Sequence, residues 1–361
     1  MKLWKRAAGI LKDQNSILVA SLSPKTTYRI PDLETAIIKA TSHDEFHVDY
    51  KNAQRVFKWI RTSPSVCLKP LIWCLSKRMD KTKCWVVALK GLILMHGVFC
   101  CKINDLNNIG RLPFDLSNFH DGHLRPIDSW GFNNFVRSYY SFLDQRSASL
   151  YDQITMPNVN PISQDLFKLQ ECQSLLDLLL QIKPRASNMK VTLILEAMDC
   201  IVIEMYDVYS RICSGVARVL MRIYSAGKLQ VSIALKVLQK ATQQSEQLSQ
   251  YFEFCREFGV RNMLELPKVI QIPEQDIREL ERIIDGVSEN NSTNGNHEEN
   301  DDNENRALRT IITDKWEVFE EDHLINNQIV ENFDARNPFV DPDPNLLPLV
   351  PLSLPPDLIS F

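Results

Sequence analysis

The chain has 361 residues, 44% of them hydrophobic and only 11 of them glycine, and long stretches show no strand-like alternation, so a sizeable helical core is expected. The net charge of −4 is unevenly spread: residues 1–90 carry 17 Lys and Arg against 7 Asp and Glu, residues 91–285 carry 20 against 22, and residues 286–361 carry 4 against 16. That split suggests a front end that seeks anions and a tail that stays solvated, while nine scattered cysteines without a CxxC pair argue against a disulfide framework.

Residues 3–13 have the spacing of a short amphipathic helix. Leu3, Trp4, Ala7, Ile10 and Leu11 share a face flanked by Lys2, Lys5, Arg6 and Lys12. Two readings fit: a helix packed on its own core, or one lying in a membrane interface with Trp4 at headgroup level. The charges at this end do not suit a secretory leader. Asp32 suits an N-cap for a helix to about residue 40, a break follows over Thr41 to Val48, and helical spacing resumes from Asp49 to Arg61. Further helices are expected at 65–78, 82–102, 129–150 and 163–182, with Gly110 to Ser129 as an ordered loop. The run Trp85 to Cys101 is the most apolar, but Lys90 and His96 lie inside it, which favours a buried core helix over a membrane span. Two long helices, 188–224 and 229–258, are separated by Ser225-Ala226-Gly227, and Gly259 suits a C-cap. Short connections make neighbours antiparallel, so the pattern is a stack of helical hairpins, closed by a helix at 273–286. Residues 287–305 contain one apolar residue and are expected to be disordered, and the proline-rich end should be extended.

One constellation could bind phosphate. Lys39 ends one helix, and Lys51, Arg55 and Lys58 follow at i, i+4 and i+7 on the next, with His43 and His47 in the turn between. Cations beside the unpaired N–H groups of a helix start make a phosphate cradle; the alternative is a solvated basic face. His43-Asp44-Glu45-Phe46-His47 imitates a zinc-protease motif, but Asp stands where that chemistry needs Glu and no third ligand follows. His120 and His123 make no better case. No metal site is expected, nor any cofactor or enzymatic activity, because no nucleotide-binding glycine loop, nucleophile elbow or kinase signature appears. The basic region lacks interleaved aromatics, so nucleic acid is not an expected partner. In the tail, Trp316 and Phe319 stand three apart before Glu320, Glu321 and Asp322, and Asn337-Pro338-Phe339 presets a tight turn presenting Phe339.

Several separated motifs occur together in one order: Ala36 to His43, Trp85 to Lys90 with His96 downstream, Leu116 to Phe119, and Phe135 to Leu143. With them the chain resembles the ANTH domain of clathrin assembly proteins over about residues 1–285, and its short tail is similar to that of the plant members. The resemblance implies an all-α, right-handed helical solenoid, with an ENTH-like core over about 20–150, a helical extension over 151–285, and a disordered acidic tail over 286–361. It implies a cytoplasmic, peripheral-membrane adaptor that binds phosphatidylinositol 4,5-bisphosphate and recruits clathrin at coated pits and vesicles of the Golgi or plasma membrane. Trp316 and Phe319 resemble a hook for an adaptor-complex ear domain, Asn337 to Phe339 resemble a ligand for EH-domain proteins, and vesicle SNARE helices are a further partner of such domains. The family's lipid motif is Lys, nine residues, Lys, one residue, Lys or Arg, then His or Tyr. Lys39 and Lys51 match its first and third basic positions; Asp49 and Asn52 replace the second and the last.

Overall fold

The computed structural model describes residues 2–155, 160–261, 278, 281 and 282. The described residues are organised as helices: α1 (Lys2–Ser21), α2 (Pro31–Ala40), α3 (Tyr50–Thr62), α4 (Pro64–Lys81), α5 (Trp85–Cys100), α6 (Pro126–Thr155), α7 (Pro161–Leu180), α8 (Thr192–Met221) and α9 (Lys228–Phe258). Each local choice follows from the sequence. Pro31 opens α2 with a preset φ, and Leu33, Ala36, Ile37 and Ala40 form its buried stripe. Asp49 caps α3, accepting from the Asn52 N–H at 3.1 Å. Gly259 ends α9 at φ 94°, where its own N–H and that of Val260 return to the Cys255 carbonyl.

The hairpins stack in chain order. α1 lies on α2, α2 on α3 and α4, α5 on α6, α6 on α7, and α7 on α8 and α9. α5 is the axis of the core, buried at every residue from Trp85 to Phe99, so its lack of a polar face is explained by neighbours on all sides. Among the described residues no helix is long and apolar enough to cross a membrane. α5 and α6 run parallel, because the long 101–125 loop carries the chain back: Trp85 meets Phe132 and His96 meets Tyr139. The starts of α5, α6 and α8 therefore share one end of the stack. There the Gly122 N–H donates to the Lys83 carbonyl at 2.8 Å, joining the loop before α6 to the α4–α5 turn. Asn188, between α7 and α8, donates to the Asp128 carbonyl in the first turn of α6 at 3.1 Å.

The all-α class and the order of elements agree with the sequence expectations; several boundaries do not. α1 runs to Ser21 and does not stop at residue 13, because Gly9, Asp13 and Ala20 are buried on its inner face. Ile30 takes the cap position of α2, and Asp32 sits in the first turn, where an acid favours the helix dipole. The expected helix at 188–224 divides into a short 3-10 turn at Ser187–Met189 and α8. The helix expected at 273–286 and the tail lie largely outside the described residues.

Candidate functional site

The α2–α3 loop, residues 41–49, is held in place by side chains of α1, α4, α5 and α8. Asp13 of α1 accepts from the His43 N–H at 2.8 Å, lies 2.9 Å from His43 Nδ1, and accepts from Arg78 of α4 at 2.8 Å. Arg78 also donates to the Thr41 carbonyl at 2.7 Å. Burial alone would raise the Asp13 carboxyl, but the hydrogen bonds from His43 and Arg78 outweigh it and hold the group below the ordinary carboxylate range. On the far side, Glu196 of α8 accepts from the Val48 N–H at 3.0 Å and meets His47 Nδ1 at 3.1 Å. Beneath the loop lies Lys90, buried in α5, whose Nζ donates to Ser42 Oγ at 3.3 Å. Burial lowers its ammonium pKa, while Asp44, Glu196, Asp13 and Asp49 pull it back up. Sequence reading passed over Asp13, Arg78 and Glu196, since each is remote in the chain from the loop; Lys90 was the one visible signal, a lone charge in an apolar helix.

The expected cations flank this anchored loop. Lys39, in the last turn of α2, and Lys51, in the first turn of α3, are exposed and have no carboxylate partner among the described residues. Lys58 is exposed further along α3, and Lys12 along α1. Arg55 is exposed, donates to Asn52 Oδ1 at 3.3 Å and lies over the Trp59 ring at 5.1 Å. His43 is turned inward to Asp13, whereas His47 keeps most of its ring in solvent beside Glu196. Ile10 and Leu11 are exposed on α1, as is Phe46 on the loop itself, a residue the sequence did not single out. The side chains of Lys2, Leu3, Trp4, Lys5 and Arg6 lie outside the described residues, as do Trp316, Phe319, Asn337, Pro338 and Phe339.

The two departures from the family's lipid motif prove to be one structural unit. Asn52 Nδ2 donates to Asp49 Oδ2 at 2.6 Å, and its backbone N–H donates to Asp49 Oδ1. An acid at the cap and a buried amide three residues on replace two positions that would otherwise carry charge or a ring.

The other motifs serve the scaffold. Trp85 stacks on Phe132 with centroids 4.1 Å apart, and Arg137 donates to the Phe119 carbonyl at 2.7 Å. His96 is buried between α6 and α8: its Nδ1 lies 2.7 Å from the Tyr139 hydroxyl and its Nε2 lies 3.3 Å from Glu204, which also pairs with half-buried Arg146. His96, Cys100 and Glu204 bring ligand atoms within 4.8 Å of one another. That cluster is poor for a cation, because the Arg146 guanidinium already occupies the carboxylate and burial pushes the Cys100 thiol up to about 12.

A helical stack with a pinned, cation-flanked loop defines a class of interaction scaffold. The ANTH domain family model matches residues 32–286. "Putative clathrin assembly protein At1g25240" of Arabidopsis thaliana is 50% identical, with all of both chains covered. "Putative clathrin assembly protein At1g68110" of the same plant is 46% identical over the whole of both chains, and "Putative clathrin assembly protein At1g14686" is 43% identical over 79% of this chain and 82% of its own. The chain belongs to the ANTH-domain family of clathrin assembly proteins.

Proposed function

We propose that this protein is a non-catalytic adaptor of clathrin coats, whose helical domain binds a phosphoinositide membrane and whose tail recruits coat components. The observation that carries the lipid reading is the placement of Lys39 and Lys51: both are exposed and free of carboxylates among the described residues, on either side of a loop anchored internally at Thr41, Ser42, His43 and Val48. Such a pair can hold a headgroup phosphate without first breaking an ion pair. Phosphatidylinositol 4,5-bisphosphate suits it, because adjacent phosphates can engage both lysines. Arg55 and Lys58 extend the cationic face along α3, with His47 at its margin.

Each cation near an anionic surface contributes about 1 kcal/mol, so four give only about millimolar binding. Apolar insertion must add to it. Ile10 on α1, together with Leu3 and Trp4 before it, supplies that contribution, with Lys2, Lys5, Arg6 and Lys12 as the flanking charges. The tail motifs at Trp316 and Phe319, and at Asn337, Pro338 and Phe339, would then engage adaptor ears and EH domains, gaining avidity on a crowded coat.

The test is sedimentation of the full chain with vesicles containing phosphatidylinositol 4,5-bisphosphate. Lys39→Glu with Lys51→Glu should lower binding about tenfold or more, with helicity by circular dichroism unchanged. Unaltered sedimentation of that variant would remove the site. Retained binding to partner helices by a chain that ignores all vesicles would favour a protein-only scaffold.

A further inference from the structure

We infer that the domain has a second membrane contact at the start of α6, where Ile127 and Trp130 enter the interfacial layer of an anionic bilayer; this rests on the lipid reading above and adds a site to it. Ile127 is 84% exposed and Trp130 is 56% exposed, and they stand at i and i+3 on one face of α6. Leaving an indole this open to water forgoes the burial that most tryptophans obtain. At a headgroup boundary the ring is satisfied, its body apolar and its N–H wet.

The surrounding charges select the occupant. Lys83, whose carbonyl receives the Gly122 N–H, lies on one side of the corner. Arg185 and Lys190 lie on the other, in the segment whose Ala186 and Met189 pack against Gly131. All three are exposed and lack carboxylate partners among the described residues; the Lys190 ammonium lies over the Phe258 ring, 5.9 Å from its centroid. Two acids at the corner are occupied: Asp128 pairs with Arg125 at 2.7 Å, and buried Asp121 accepts from the N–H groups of Trp85, His123 and Leu124. Glu45 also lies within electrostatic reach of Cys84, beside Lys83. An exposed apolar pair flanked by cations that have no carboxylate partner is complementary to an anionic lipid surface.

The corner also lies at the correct end of the molecule. Val48 and His47 reach Glu196 at the start of α8, and Asn188 just before α8 reaches Asp128 at the start of α6. The Lys39–Lys51 loop and the Trp130 corner are thus joined through one connection and can face the same plane. Two separated contacts fix the tilt of the domain on the bilayer, which one lysine pair cannot do, and they bind with avidity.

The experiment uses the full chain and phosphatidylcholine vesicles carrying phosphatidylinositol 4,5-bisphosphate, with and without brominated acyl chains. Trp130→Phe should sediment as the parent does but lose part of the tryptophan quenching by the brominated lipid. Ile127→Ser with Trp130→Ser should sediment about fivefold to tenfold less. Quenching of Trp130→Phe equal to the parent's overturns the inference. So does undiminished sedimentation of the double variant while Lys39→Glu with Lys51→Glu loses binding, a result that leaves the first lipid site intact. If the parent chain ignores these vesicles, both sites fall. Should the double variant lose helicity, the Trp130→Phe comparison alone decides.

Discussion

At the scale of single residues, acid is the condition to which this molecule is most exposed. His96 is buried and its pKa is lowered, chiefly by burial and against the pull of Glu204. Below about pH 6.5 an unfolded chain takes up a proton that the folded one resists, so stability falls as pH drops from there. Glu204 acts in the same direction at lower pH: burial opposes its charge, but Arg146, His96 and Arg211 overcome that and depress its pKa. Its contribution is full above the ordinary carboxylate value and is lost as pH falls through the depressed one. Urea denaturation between pH 7 and pH 5 should show declining stability, and His96→Gln should flatten that slope. Glu204→Gln should cost about 3 kcal/mol, since it leaves the half-buried Arg146 without its counter-charge. Asp13 shows the same sign on a smaller unit. Asp13→Ala should cost about 2–3 kcal/mol and speed amide exchange in α1, while α8 keeps its protection.

At the scale of elements, α3 shows a compromise between its cap and its charge. The Asp49–Asn52 pair fixes the first turn but puts an acid where relatives of the motif put a base. Asp49→Lys with Asn52→His should therefore raise vesicle binding, about thirtyfold for a change of two units of charge near the surface. It should also lower helix stability by about 1 kcal/mol through loss of the cap. Vesicle titration beside thermal unfolding checks both halves. The elements were largely readable in the sequence because their apolar spacing is regular: α3 from Ala53, Val56, Phe57 and Ile60, and the end of α9 from Gly259. α1 was cut short in that reading because Asp13 looks like a surface residue until Arg78 and His43 are seen to bury it. A polar residue in the middle of a helix carries no local sign of a distant partner.

At the scale of the whole molecule, the hairpins follow from short connections that reverse the chain, and that much of the fold was open to sequence reasoning; the parallel pairing of α5 and α6 across the long 101–125 loop was not. The lysines of the candidate site were legible too, from their spacing around a helix break. Their support was not, since it comes from α1, α4, α5 and α8, as much as 149 residues away in the chain. The Trp130 corner was hidden for the same reason: only the assembled stack brings the α4–α5 turn and the α7–α8 connection to either side of it.

The grip of Glu196 on Val48 and His47 has a practical bearing on how this protein can be divided. A fragment ending near residue 150 would keep every lysine and arginine of the first three helices, and so would look self-sufficient on paper. It would lack α8, and with it the carboxylate that moors the hairpin bearing those cations. The proposed headgroup site is therefore a property of both halves together: a hand whose wrist belongs to the other arm.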